Sequence, residues 1–272
     1  EVGINVLASE PKMALFADEE GLAIYRQIIE DADKYLTPKG KLYFEIGYKQ
    51  GRDLKKLLSL HFPDKRVRVL KDQFGQDRMV VILADGGAVV LPTETVYGLF
   101  AKALDEQAVD HVYELKNRPR DKAMNLNVAS YEDILSYSKE QPDYLKKIYD
   151  AFLPGPLTII LKANSQVPKW INSGLATVGF RLPDHPVTRE LIQAEGPLIG
   201  PSANKSGKAS GRYFDDIRVQ FDFQVTGYQD DDALLGVDST ILDLSVSPAR
   251  ILRQGKITKD DLLAALPELT IE

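Results

Sequence analysis

Cysteine is absent from this sequence and histidine nearly so, at three residues in 272. Without thiols there is no disulfide framework, no thiolate zinc or iron–sulfur site and no cysteine nucleophile. His61, His111 and His185 do not stand at metal-ligand spacing from one another, so no histidine-built metal site is expected. Positive charge is in deficit. The 34 Lys and Arg against 40 Asp and Glu leave a net charge of −6, which argues against a surface that grips nucleic acid along its whole length. Long apolar runs are missing as well: the densest, Met79 to Ala84, stops at Asp85, far short of the ~20 residues that cross a bilayer. Acidic and basic residues near the beginning (Glu10, Lys12, Asp18, Glu19, Glu20) do not make a signal peptide, so a soluble cytoplasmic chain with no membrane partner is expected. Neither a Walker A loop nor a dinucleotide-type glycine fingerprint occurs, so nucleotide binding is not readable from generic motifs.

What is there is the composition of an ordinary α/β globule, long enough for one large or two smaller domains. Two dissimilar segments meet near Asp85-Gly86-Gly87, giving expected domains of 1–84 and 85–272. In the first, a helix is predicted over 19–36, with Leu22, Tyr25, Ile28, Ile29 and Ala32 on one face. A strand over 41–46, a helix through Leu54, Leu57 and Leu58, and strands at 66–70 and 79–83 follow, an alternation typical of a parallel doubly wound sheet. The second segment predicts strands at 88–91, 157–161, 177–181, 198–200, 223–225, 240–244 and 249–252. Helices are predicted at 106–115, 131–137, 143–152, 186–194 and 259–266.

Chemistry-bearing residues gather in four places of that second segment. Leu91 to Leu99 reads LPTETVYGL, with two threonines and a glutamate directly after a strand. Lys116, Arg118, Arg120 and Lys122 follow a helix at two-residue spacing. Thr177 and Arg181 share one face of a strand, and GPSANKSG at 200–207 leads to Ser210-Gly211-Arg212. Each has a plain reading: helix-end charge compensation, strand propensity, a turn. Together, small hydroxyls, glycine-freed amides and guanidinium groups are what a polyphosphate and a carboxylate need. Arg181, between Val178, Phe180 and Leu182, is expected to be half-buried and in need of an anion.

The motifs PTETVYGL (92–99), LKNRPRDK (115–122), PGPLTIIL (154–161), TVGFRLPDHP (177–186), GPSANKSG (200–207), DSTILDLS (238–245) and ILRQGKIT (251–258) resemble, in order, the YrdC-type threonylcarbamoyl-adenylate synthases. The resemblance implies a YrdC-like twisted mixed sheet with flanking helices. It also implies a nucleotidyltransferase that joins L-threonine, bicarbonate and ATP (with Mg²⁺ on the triphosphate) into threonylcarbamoyl-AMP and pyrophosphate. A downstream tRNA threonylcarbamoyl-transfer complex would then modify adenosine 37. It assigns Thr95, Asn127, Arg181 and Gly200 to threonine and Arg118, Lys122, Thr177, Ser202, Asn204, Ser210 and Arg253 to ATP, with Lys116, Arg118 and Lys122 catalytic and no protein metal ligands. Several relatives carry histidine where Asn127 stands, so that contact differs in kind. The threonine hydroxyl and methyl are expected near Thr95 and Asn127. Loss of Arg181 is expected to leave no unpaired buried charge.

In the first segment, GL and YR within 21–26, LTPKGKLYFEIGYKQG (36–51) and KDQFGQDR (71–78) resemble the C-terminal part of HemK/PrmC release-factor glutamine methyltransferases. That implies a partial doubly wound strand/helix fragment. The glycine-rich methyl-donor loop and Asn-Pro-Pro-Tyr motif of those enzymes do not occur in these 272 residues, so methyltransferase activity is not expected of them. Two other readings of the chain stay open: an RNA-binding or ribosome-associated module on the same fold, taking double-stranded RNA or tRNA, and an inactive fusion product.

Overall fold

The computed structural model describes residues 21–35, 42–62, 66–71, 76–83 and 87–272. The chain divides into two compact units, Glu1–Ala84 and Asp85–Glu272. In the first, helix α1 (Ala23–Tyr35) is followed by β1 (Leu42–Glu45), α2 (Gly51–His61), β2 (Arg66–Lys71) and β3 (Asp77–Leu83). The predicted helix ends at 19–20 and 36, and the strand start at 41, lie outside the described residues. β1 and β2 run in one direction, as the alternation implies. The wholly parallel sheet is not what forms: β3 lies between β1 and β2, antiparallel to both. Ile29, Phe44, Ile46, Leu54, Leu58 and Val67 form its small core.

The second unit is a mixed nine-stranded sheet with flanking helices. It comprises β4 (Ala88–Leu91), β5 (Gly98–Lys102), α3 (Glu106–Lys116), β6 (Leu126–Asn127), α4 (Tyr131–Tyr137), β7 (Ser138–Lys139) and α5 (Leu145–Phe152). Then come β8 (Leu157–Ala163), α6 (Lys169–Asn172), β9 (Thr177–Arg181), α7 (Pro186–Glu195), β10 (Leu198–Ile199), α8 (Phe214–Gln220), β11 (Thr240–Asp243), β12 (Arg250–Arg253) and α9 (Lys259–Ala265). Strand order is β12-β11-β8-β9-β6-β10-β5-β4, with β7 on β8; β6 runs parallel to β9 and β11 to β8.

Local chemistry explains the elements. α3 starts where Asp105 accepts from the amides of Gln107 and Ala108, and stops at Asn117 in the left-handed region. α4 and α9 each begin with a capping box, Ser130 with Asp133 and Thr258 with Asp261. The strand predicted over 223–225 is a turn instead. Asp222 and Phe223 both take positive φ (53° and 58°), and the Phe223 amide closes onto the Arg218 carbonyl at 2.7 Å. The neighbouring Gly227 makes the strand-like contact, a parallel bridge to Val90.

Candidate active site

One cross-strand row builds the floor of a cavity. Arg253 of β12 pairs with Ile241 of β11, Ile241 with Thr158 of β8, and Arg181 of β9 with Asn127 of β6. Residues in register on neighbouring strands face the same side of a sheet, so these ends converge although they are far apart in sequence. Turns supply the walls: Val96, Tyr97 and Gly98 after β4, Arg118 and residues 123–125 between α3 and β6, Gly200-Pro201-Ser202 after β10, and Asp238-Ser239 before β11. The cavity is about 210 Å³. That is below the ~300–1,000 Å³ of pockets for drug-sized ligands, so it suits an amino acid, and a nucleotide would extend past its rim.

Three guanidinium groups line it: Arg118, Arg181 and Arg253. Arg181 is 11% exposed, and its Nη2 donates to Glu94 Oε1 (2.8 Å), Thr95 Oγ1 (2.5 Å) and Thr93 Oγ1 (3.3 Å). Its Nε is buried and has no hydrogen-bond partner among the described residues. The anion expected for Arg181 is thus partly present within the chain as Glu94, 14% exposed, whose second oxygen accepts from the Asp184 amide at 2.8 Å. This overturns the expectation that losing Arg181 leaves no unpaired buried charge. Glu94 was visible in the PTET motif but carried no signal of its role, because its partner sits 87 residues away.

Arg118 clamps its own loop, Nε to the Lys122 carbonyl (3.1 Å) and Nη2 to the Ala123 carbonyl (2.8 Å), and burial pushes its guanidinium pKa down. Arg253 holds Ser239 through its carbonyl (3.0 Å) and hydroxyl (3.1 Å) and meets Asp238 at 3.4 Å. The Ser239 hydroxyl in turn bonds the Thr158 hydroxyl at 3.0 Å. Gly200 is required where it stands, since a Cβ there would lie 2.6 Å from Asn127 Nδ2.

Of the residues singled out from sequence, Arg118, Asn127, Arg181, Gly200, Ser202 and Arg253 line the cavity. Thr95 lies one bond behind, fully buried, its hydroxyl held by Thr93 and Arg181, so it acts on the cavity through Arg181. Lys116 is 1% exposed and turns Nζ away from the cavity onto the carbonyls of Ser202 and Asn204. Burial, then the neighbouring Arg118 charge, pushes it down to about 7. Asn204 continues that knot, accepting from the Ser202 hydroxyl (2.5 Å) and donating to the Lys208 carbonyl (2.8 Å). Lys122 is exposed, Thr177 stands at the far end of β9 from Arg181, and Ser210 lies in the loop before α8; none lines the cavity. Sequence reasoning missed Thr158, Asp238 and Ser239, and also a brace behind the 92–96 turn. There the Tyr97 hydroxyl donates to Asp231 (2.7 Å) and accepts from the Asp230 amide (2.8 Å), while the amides of Leu235 and Gly236 bond the carbonyls of Glu94 and Thr95.

A family profile described as Sua5_yciO_yrdC, telomere recombination, matches residues 81–255. The chain belongs to the Sua5/YciO/YrdC family. A threonylcarbamoyl-AMP synthase of Pyrococcus abyssi is 37% identical over 191 residues, 70% of this chain and 56% of that protein. A putative threonylcarbamoyl-AMP synthase of Mycobacterium leprae is 34% identical over 197 residues, 72% of this chain and 87% of its own. The chain spans little more than half the length of the Pyrococcus relative and of a Bacillus subtilis one, 56% in each case. Among solved structures of the Sua5/YciO/YrdC fold, P. abyssi Sua5 complexed with L-threonine superposes with a TM-score of 0.65 at 37% identity, covering 69% of this chain and 56% of that one. The N-terminal part is similar to a release factor glutamine methyltransferase of Streptococcus pneumoniae, 67% identical over 82 residues that make up 29% of that protein.

Proposed function

We propose that the second unit is an L-threonylcarbamoyl-adenylate synthase, acting on L-threonine, bicarbonate and ATP. The observation that carries the reading is Arg181: a largely buried guanidinium that lines an amino-acid-sized cavity with two further arginines and, among the described residues, makes its side-chain hydrogen bonds through Nη2 alone. Such a group is made for a carboxylate. It also agrees with the relatives' names and with the threonine in the P. abyssi complex.

The chemistry needs charge and positioning rather than a nucleophile. The threonine amine attacks the carbon of bicarbonate, a C–N bond forms, water leaves, and a carbamate results. A carbamate oxygen then attacks the α-phosphorus of ATP. The bond from that phosphorus to the β-phosphate bridge breaks, and pyrophosphate departs with the electron pair. Arg181 holds the amino-acid carboxylate with Thr95 fixing its plane. Arg118 and Arg253 compensate phosphate charge, and Ser202 offers a hydroxyl in the same cavity. Lys122, exposed near the rim, reaches the outer phosphates, and Thr177 and Ser210 meet the nucleotide beyond the cavity. Lys116 and Asn204 act by fixing the 200–204 loop. Mg²⁺ would accompany the triphosphate and supply further positive charge there. The product would pass to a tRNA threonylcarbamoyl-transfer complex in the cytoplasm.

Pyrophosphate release measured with each of the three substrates omitted in turn tests the reading. All three dependences are expected. Release that ignores threonine would sink it. An RNA-binding role is disfavoured by the net charge of −6.

A further inference from the structure

Asn125 lines the cavity, is half-buried, and makes no hydrogen bond among the described residues. It stands two residues before Asn127, so both carboxamides lie on the cavity side while Leu126, between them, is fully buried in the core. Asn127 spends Nδ2 on the Leu198 carbonyl at 3.3 Å. Asn125 sits one row along from Asn127, against Gly179, where a Cβ would collide with its Oδ1 and crowd Thr158 Cγ2 at 3.4 Å. The missing side chain of Gly179 is what gives the carboxamide its place. An asparagine set in a cavity wall, supported from below yet unused by the protein, has its donor and acceptor to offer.

We propose that Asn125 binds the bicarbonate, and then the carbamate, of the reaction. The inference rests on the synthase reading above. With Arg181 on the amino-acid carboxylate and Arg118 and Arg253 on phosphates, Asn125 is left as the polar group of the inner wall with its hydrogen-bonding capacity unspent. Its chemistry matches. Bicarbonate carries an O–H beside an O⁻, and a primary carboxamide carries a C=O beside an N–H, so the two pair through parallel hydrogen bonds. When water leaves, the carbamate N–H takes the place of the O–H as donor to Oδ1. Neutrality also matters, because the carbamate oxygen must remain a nucleophile. A guanidinium would stabilise its negative charge more strongly, and a neutral amide orients the group while quenching it less.

The test is steady-state pyrophosphate release in CO2-depleted buffer, varying bicarbonate, threonine and ATP separately, with Asn125→Ala, Asn125→Asp and Gly179→Ala. Loss of one neutral hydrogen bond and one to an anionic oxygen should raise the bicarbonate KM of Asn125→Ala about thirtyfold or more. The threonine and ATP constants should move less than about threefold. Asn125→Asp, close in shape but anionic, should be worse for bicarbonate than Ala. Gly179→Ala, which dislodges the carboxamide without removing it, should reproduce the bicarbonate defect. Thermal unfolding of each variant separates these effects from misfolding. A rise confined to the threonine KM would show that Asn125 reads the amino-acid side chain and would overturn the proposal, as would three unchanged constants. Failure of the unaltered chain to release threonine-dependent pyrophosphate is a different result. It removes the synthase reading, and this proposal with it.

Discussion

Arg181 and Glu94 form a largely buried pair, and cutting one partner strands the other. Arg181→Ala should therefore do two things. It should raise the threonine KM, since the carboxylate loses its guanidinium. It should also destabilise the fold by roughly 3 kcal/mol, near the lower end for a severed buried pair, which for a unit of this size lowers Tm by about 6–12 °C. Adding Glu94→Gln to Arg181→Ala should recover part of that loss without restoring threonine binding. Equal melting of the single and double variants would show that the pair is not coupled. Lys116 makes a pH prediction. Its folded-state pKa is depressed to about 7 from 10.5. Below about 7 the lysine is charged in both states and its burial penalty is full. Between about 7 and 10.5 the unfolded chain binds the extra proton, so this residue makes stability rise with pH. Urea denaturation at pH 6.5 and 9.5 should show the native chain gaining on Lys116→Met at the higher pH; a constant difference would contradict the burial argument.

At the scale of elements, the exposed flank of an edge strand is closed by a loop. The Val90 amide bonds the Thr226 carbonyl and the Val90 carbonyl accepts from the Tyr228 amide, both across Gly227, so β4 does not end the sheet with bare backbone. A Cβ on Gly227 would run into the Val90 carbonyl. Gly227→Ala should lower Tm by several degrees and release the brace on Glu94 and Thr95, raising the threonine KM too. Wild-type melting in that variant would rule out the close approach. These elements also show what the sequence made legible. The spans predicted for helices α3, α4, α7 and α9 differ from the observed ones by no more than a residue at either end, and in the structure Asp105, Ser130 and Thr258 cap three of them. β5 was hidden because Gly98 to Lys102 prolongs an apolar motif that reads as a turn, and β6 and β7 because two residues carry no period. In the site, Arg118, Arg181, Ser202 and Arg253 were visible as residue types in motifs. Thr158 and Ser239 were not, because their meeting depends on the register of β8 with β11, which no local pattern encodes.

For the molecule as a whole, the two units differ in how much they bury. Among the described residues the first has three strands and a core of six buried side chains, far fewer than the second, so less apolar burial resists its opening. Amide exchange followed by mass spectrometry should show residues 42–83 exchanging faster than 88–253, with limited proteolysis cutting first before Asp85. Uniform protection on both sides of residue 85 would contradict this.

The two residues of β10 have a consequence in time. Leu198 and Ile199 pair with Lys102 and Ala101 on one side and with Asn127 and Leu126 on the other, so among the described residues β10 is the strand that joins β4-β5 to the rest of the sheet. A nascent chain delivers β6 some seventy residues before β10, so the edges of β5 and β6 that β10 will fill stay unpaired over that length of synthesis. Closing so distant a junction is slow, and open edges invite other chains. The same strand leads into Gly200 and the 200–204 loop, so docking it also sets one wall of the cavity, while the lining residues Asp238, Ser239, Ile241 and Arg253 are still to come. A partly made chain therefore has no site with which to bind a substrate.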